Sequence, residues 1–267
     1  MQKIAMFGIC GKMGTAMASE LIKEDDVELV AGFDSMNIGM DLGQYLGTGK
    51  KGIGITDSYE DILKQSPDLI IDFTIAETAK RSISWAMDNG INIIVGTTGL
   101  SPGDLSGIEK KAGECGTKVL IAPNFAIGAV IMMKVSGMIA KYFDNCEIVE
   151  QHHDQKKDAP SGTSIATAKN ISEKIKFNSS RLKDGEDETI EGSRGGFAEG
   201  VHIHSIRLPG FLAHQEVIFG TLGQTLSIRH DSISRSSFYP GVIFAVRNMD
   251  KVSNYTYGLD KLINLDQ

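Results

Sequence analysis

Apolar residues in this chain gather first into short continuous runs and later into alternating ones. Residues 3–7 form the first run, followed by a glycine-rich turn from Gly8 to Gly14 and a helical pattern from Thr15 to Ile22 that carries Ala16, Met17 and Leu21. VELVAGFD at 27–34, DLIIDFT at 68–74, NIIVGTT at 92–98 and KVLIAP at 118–123 repeat the first run, with helices predicted at 58–65, 77–89 and 103–114. Continuous apolar strands alternating with helices predict a parallel sheet covered on both faces, the doubly wound α/β plan. After Pro123 the pattern changes. An apolar helical stretch at 127–142 leads into a strand, EIVEQHH, then the loop KKDAPSG and a further helix from about Thr163. Residues 178–200 are polar and glycine-rich and read as a surface loop. Alternating runs at 201–207, 215–220 and 225–230 predict a sheet with one solvated or interface face, so the middle of the chain reads as a separate α+β unit. A helix at 236–249, with Pro240 inside it, is expected to return to the first domain.

Composition narrows the possibilities. With 267 residues, 41% of them hydrophobic, the chain can bury a substantial core in one large domain or two modest ones. A net charge of −7 argues against a nucleic-acid surface, which needs a dense basic face, and requires a local positive pocket for any acidic substrate. Cys10, Cys115 and Cys146 are odd in number and lack metal-ligand spacing, so free thiols in a reducing compartment are expected, with Cys10 a small buried one. The N-terminus lacks a secretory apolar core, and no stretch approaches the roughly 18 apolar residues of a membrane span. A cytoplasmic globular enzyme without membrane contact is the expectation.

Gly8, Gly11 and Gly14 stand as GxxGxxG at the junction of the first strand and first helix. Glycines there permit a tight turn, close approach of a pyrophosphate and close helix packing, while the helix N-terminus favours the anion. Asp34 closes the second strand, where a carboxylate can accept bonds from ribose hydroxyls and repels a 2′-phosphate. NADH is therefore favoured, although Lys12 leaves NADPH open, either as a phosphate contact or as a solvated charge. Gly96-Thr97-Thr98-Gly99 and Ala122-Pro123-Asn124-Phe125 follow two further strand ends and suit a nicotinamide and ribose, or ordinary turn chemistry.

The densest chemistry lies between Glu150 and Thr163, where His152, His153, Lys156 and Lys157 precede Ser161-Gly162-Thr163. The last three open a helix, so their N–H groups and hydroxyls can cradle one carboxylate of a small dicarboxylate. Histidine and lysine can hold a second carboxylate or deliver a proton. His202 and His204 share a strand face and could meet His214 or His230 around a metal. No carboxylate or cysteine stands at matching spacing, so no metal is expected and these histidines are read as packing and hydrogen bonds.

In order along the chain, GICGKMG, DFTIAETA, VGTTG, APNFAIGA and EQHHDQKKDAPSGTS resemble the 4-hydroxy-tetrahydrodipicolinate reductase (dihydrodipicolinate reductase) family, with HHxxKxDAPSGT the most specific of these motifs. The resemblance implies a Rossmann-like dinucleotide domain (1–123) interrupted by an α+β substrate and tetramerisation domain (124–234), with 235–267 returning to the first. It implies a cytoplasmic homotetramer in the diaminopimelate and lysine pathway, reducing a small cyclic dicarboxylate with NADH or NADPH. Gly8, Ile9, Cys10, Gly11, Lys12, Met13, Asp34, Gly96, Thr97, Thr98, Ala122, Pro123, Asn124 and Phe125 would contact the dinucleotide. His153, Ser161, Gly162 and Thr163 would hold the substrate, with His152 and Lys156 catalytic and Lys156 the proton donor. Gly99, Arg207 and Arg235 also fall in similar stretches, with less definite roles. Ala76 and Ala126 depart from the family's usual proline and serine, so no role for that serine hydroxyl carries over. The competing readings are another NAD(P)-dependent reductase of amino-acid precursors, or a dinucleotide sensor without turnover.

Overall fold

The protein is described by a computed structural model covering residues 1–177, 179–182 and 184–265. It divides into two compact units, Met1–Phe125 together with the chain from Phe238 onward, and Ala126–Ser237.

The first unit begins β1 (Gln2–Phe7), α1 (Lys12–Leu21), β2 (Val27–Phe33), α2 (Leu42–Tyr45), β3 (Ile55–Thr56) and α3 (Tyr59–Lys64). It continues with β4 (Leu69–Asp72), α4 (Ala76–Asp88), β5 (Asn92–Val95), α5 (Pro102–Cys115) and β6 (Val119–Ile121). The second unit holds α6 (Ile127–Ile139), β7 (Asn145–His152), α7 (Gly162–Ser172), β8 (Gly196–Ala198), β9 (Val201–Arg207), β10 (Ala213–Thr221) and β11 (Gln224–Ser232). The chain then returns to the first unit as α8 (Tyr239–Arg247) and β12 (Tyr255–Tyr257).

In the first unit seven strands run in the order β12-β6-β5-β4-β1-β2-β3, and every pairing is parallel. The continuous apolar strands are buried from both faces, with Ile4 to Phe7 and Leu69 to Ile71 inaccessible to solvent. Because β1 is flanked by β2 on one side and β4 on the other, the connections diverge there, and the strand ends leave the crevice where doubly wound sheets take ligands. Helix termini follow local chemistry. Ser101 and Asp104 form a reciprocal capping box that spans Pro102, and Gly116 ends that helix at a left-handed φ of 73°.

The returning segment departs from the sequence reading in an instructive way. Pro240 sits in the first turn of α8, where its missing N–H costs nothing, so the helix is shorter than 236–249. Arg247 donates to Glu24 at 2.5 Å and to Asp26 at 2.7 and 2.8 Å, and Tyr239 donates to Glu24 at 2.5 Å, fastening α8 beside the end of α1. β12 then adds an unforeseen parallel strand beside β6.

The second unit's sheet runs β11-β10-β7-β9-β8 and is mixed: β7 and β9 are parallel, and the other pairs are antiparallel. α6 and α7 cover one face, packing Met132, Ala168 and Ile171 on Cys146, Ile148, Ile203, Val217 and Phe219. The α6 helix stops at Ile139, and the last residues of the predicted 127–142 stretch form a separate 3-10 turn. Asn178 and Lys183 of the polar 178–200 stretch lie outside the described residues, and that stretch ends in the short strand β8. Among the described residues no helix is long and apolar enough to cross a membrane.

Candidate functional site

Several sequence-predicted ligand residues of the first unit sit at the C-terminal ends of parallel strands. After β1, Gly8 adopts φ 77° and a Cβ there would lie 2.8 Å from the Phe73 carbonyl oxygen. A Cβ on Gly14 would stand 2.0 Å from the Gly8 oxygen, so only glycine lets α1 start this close to the turn. Gly11 is exposed and caps α1 without a side chain, and no acidic residue occupies the first turn, which leaves that turn's N–H groups suited to an anion.

The Asp34 carboxylate accepts from the Cys10 N–H at 2.9 Å and from the Met36 N–H at 3.0 Å, which fixes it beside the glycine turn. Cys10, expected to be buried, is partly exposed because its Sγ turns toward the Met36 carbonyl at the surface, 3.4 Å away. All three cysteines are free. Ile9, Ala122 and Phe125 are buried, so their side chains serve the core and only their backbone could meet a ligand. Phe125 packs edge-on against Phe73 with ring centroids 5.9 Å apart. Lys12, Thr98 and Pro123 are exposed, and Met13, Gly96 and Asn124 are half-buried.

Thr97 points inward, and the reason is a residue that the sequence reading passed over. Asp72 closes β4 with no solvent exposure. Its Oδ1 accepts from the Thr74 N–H at 2.9 Å, the Thr74 hydroxyl at 2.7 Å and the Thr97 hydroxyl at 3.0 Å, tying together the loops after β4 and β5. Oδ2 has no hydrogen-bond partner. Burial outweighs the hydrogen bonds from Thr74 and Thr97 and pushes the carboxyl above its usual range. A charged residue ending the otherwise apolar run LIID was the available signal.

In the second unit the residues of the histidine, lysine and PSGT segment gather around another carboxylate. Burial alternates along β7, and Glu150 falls on the same face as Cys146 and Ile148, with no solvent exposure. Arg207 on β9 grips it with two bonds, 2.8 Å to Oε2 and 2.7 Å to Oε1. The Nδ1 of His152 makes a short hydrogen bond to Oε2, and the Ser161 N–H donates to Oε1 at 3.3 Å. Burial opposes the ionised form, but the hydrogen bonds from His152 and Arg207 outweigh it and hold the carboxyl at about 2.

Arg207 also donates to the Asp158 carbonyl at 2.8 Å, and the Asp158 carboxylate takes two bonds from the Lys156 ammonium, 2.8 and 2.9 Å long. That ammonium and its own backbone hold the Asp158 carboxyl below its usual range. Ser161 is buried and caps α7, its hydroxyl accepting from the Ser164 N–H at 3.2 Å. Exposed Gly162 and half-buried Thr163 form the open first turn, and His153 is half-buried nearby in the loop.

The remaining histidines have protein partners. His202 bonds through Nδ1 to the Arg194 carbonyl at 2.7 Å, His204 to Glu147 at 2.7 Å and His214 to Asp231 at 2.6 Å. Burial lowers the pKa of His230, whose ring packs so close to Gly128 that a Cβ there would lie 2.5 Å away.

Comparison with known proteins gives a consistent result. Residues 2–125 match the family model described as dihydrodipicolinate reductase, N-terminus, and residues 128–263 match dihydrodipicolinate reductase, C-terminus. A 4-hydroxy-tetrahydrodipicolinate reductase of Carboxydothermus hydrogenoformans is 42% identical, over 98% of this chain and 100% of that protein. A dipicolinate-bound dihydrodipicolinate reductase from Paenisporosarcina sp. TG-14 superposes with a TM-score of 0.88 at 36% identity, covering 98% of this chain and 100% of that one. An amine dehydrogenase from Mycobacterium smegmatis, 12% identical with a TM-score of 0.70, covers 100% of this chain and 97% of its own and shares the fold alone.

Asp72 generates a stability prediction. Its carboxyl is raised in the folded state, so the folded protein binds that proton more tightly than the unfolded chain. The favourable contribution is complete below the unfolded value of about 3.9 and is lost as pH rises through the raised folded value. Asp72→Asn keeps the Oδ1 acceptor and removes the titration. Urea denaturation should find the variant gaining on the wild type as the pH rises above about 4, whereas Asp72→Ala, which orphans the Thr74 and Thr97 donors, should lose about 1–3 kcal/mol throughout. Parallel pH curves for wild type and Asp72→Asn would refute the raised carboxyl.

Proposed function

The chain belongs to the dihydrodipicolinate reductase family, and from that premise we propose that it reduces 4-hydroxy-tetrahydrodipicolinate to tetrahydrodipicolinate with NADH or NADPH, a step of the diaminopimelate and lysine pathway. The observation that carries this reading is the set of groups joined at one buried carboxylate: His152, the Asp158 clasp on Lys156 and the start of α7.

Over the reaction the substrate loses water and gains a hydride and a proton. The dihydronicotinamide supplies the hydride when bound. The chain's own residues do the rest. Gly8, Gly11 and Gly14 clear the backbone for a pyrophosphate at the N-terminus of α1, and Asp34, fixed by Cys10 and Met36, presents acceptors to ribose hydroxyls. The loops at Gly96–Thr98 and Ala122–Phe125 are assigned to the nicotinamide end. The N–H groups of Gly162 and Thr163 take one substrate carboxylate, with Ser161 shaping that turn as its cap, and His153 takes the other. Lys156 gives the proton to the ring, and His152 maintains its supply.

The same reading places the protein in the cytoplasm as a homotetramer built through the second unit. α6 and α7 cover only one face of that unit's sheet, while Val149, Ile206 and Ile218 are half-buried apolar positions on the other. Light scattering of the purified protein should give four times the monomer mass, and a monomer across the working concentration range would remove this part of the reading.

Two substitutions test the chemistry. Lys156→Ala should lower kcat with the cyclic dicarboxylate about 10²–10⁴-fold while NADH binding is unchanged. An unaltered kcat with a raised KM would make Lys156 an anchor for the substrate and not its acid. Asp34→Ala should weaken NADH and narrow its advantage over NADPH, because it removes both the ribose acceptor and the charge that opposes a 2′-phosphate. An unchanged ratio of the two kcat/KM values would overturn that assignment.

A further inference from the structure

We infer that Glu150 is the positioning residue for both proton-handling side chains, fixing His152 directly and Lys156 through Arg207 and Asp158. The inference rests on the assignment of His152 and Lys156 above and adds a residue to it.

The direct arm follows from hydrogen-bond chemistry. Glu150 is inaccessible to solvent, and its carboxyl is held far below neutrality, so it accepts only. Its bond to His152 therefore requires the proton on Nδ1 and assigns the exchangeable ring position to Nε2, which makes no hydrogen bond among the described residues. Histidine oriented by a carboxylate is the arrangement by which an imidazole is kept in one tautomer for proton transfer.

The indirect arm runs through Arg207. Its guanidinium bonds both oxygens of Glu150 and, through Nη2, the Asp158 carbonyl 2.8 Å away, which sets where the Asp158 carboxylate can hold the Lys156 ammonium. The Ser161 N–H bond to Glu150 fixes the far end of the same loop. One carboxylate thus anchors the loop at its two ends and centre.

A purely structural role is the competing explanation, and the groups around His152 allow the two to be separated. Glu150 lies on its own strand, Arg207 is opposite on β9, Ala213 is opposite on β10, and His153, Lys156 and Asp158 belong to the following loop. The start of α7 adds Ser161, Gly162 and Thr163, which carry no charge. Glu150 is the only carboxylate bonded to the ring among the described residues, so the tautomer of His152 reports on it.

The decisive variant is Glu150→Gln, which keeps the shape and removes the charge. In the ligand-free enzyme the ring-nitrogen NMR shifts of neutral His152 should show the Nδ1–H tautomer in the wild type and a mixture of the two tautomers in Glu150→Gln, since an amide can face the ring with either its oxygen or its nitrogen. The kcat should fall about 10²-fold or more, with NADH affinity by fluorescence titration unchanged. Arg207→Lys, which keeps the charge but loses the fork, should lower kcat while leaving His152 in the Nδ1–H tautomer, and it stands in if Glu150→Gln does not fold. A folded Glu150→Gln with His152 still wholly in the Nδ1–H tautomer, or an Arg207→Lys with wild-type kcat, would reduce Glu150 to a staple of the fold. The tautomer measurement needs no substrate, so a wild-type enzyme inactive on the cyclic dicarboxylate would refute the proposed reaction without touching this result.

Discussion

A carboxylate closed off from water is tolerated only when its charge is met by well-placed donors, since the desolvation penalty is several kcal/mol per ion. The second unit is organised around meeting that demand at Glu150. Strand alternation puts position 150 on the apolar face of β7, beside Cys146 and Ile148, where a leucine would pack without difficulty. With glutamate there, three separate pieces of chain are drawn in: Arg207 from β9, His152 from the end of the same strand, and the Ser161 N–H from the start of α7. The loop between His152 and Ser161 has both ends fixed by one charge, and its middle is held when Arg207 reaches on to the Asp158 carbonyl.

Asp72 in the first unit shows how strongly the outcome depends on the kind of donor. Both carboxylates are inaccessible to solvent, and both tie loops together. Asp72 is met by one backbone N–H and two hydroxyls, all on one oxygen, and burial prevails, so its carboxyl is raised. Glu150 is met by a guanidinium and an imidazole, and its carboxyl falls to about 2. A full positive charge in bidentate contact compensates a buried anion where neutral dipoles do not. Asp72 therefore suits a static joint between two loops, whereas Glu150 is a fixed charge able to act on its neighbours.

Much of this organisation is legible along the sequence, and what is not has identifiable physical causes. The parallel strands of the first unit announce themselves because burial on both faces demands unbroken apolar runs. β3, β8 and β12 do not, since each has only two or three residues and none sits in a longer apolar run such as the KVLIAP that holds β6. The GxxGxxG turn and Asp34 are readable because a tight turn and a strand end each impose a residue type. Glu150 escapes because its role depends on Arg207, 57 residues away, and only the parallel pairing of β7 with β9 brings them together. Ser161 was legible as a helix cap, but not that capping would occupy its hydroxyl and Glu150 its N–H. Thr97 turns its hydroxyl inward for the same kind of reason, to serve Asp72.

The fold alone does not select a reaction. An amine dehydrogenase with 12% identity shares the architecture over nearly the whole of both chains, so a doubly wound sheet with a second sheet-bearing unit accommodates different chemistry. The buried ion pair discriminates better. Replacing such a pair with apolar residues of similar volume is often neutral or stabilising, so fold stability by itself gives little reason to keep Glu150 and Arg207. A protein that only sensed a dinucleotide would need the glycine turn, but not a histidine bonded to a buried carboxylate, nor a lysine clasped by an aspartate that the same arginine holds. In the proposed reaction these are the groups that would bring a proton to an anion bound at the open helix turn.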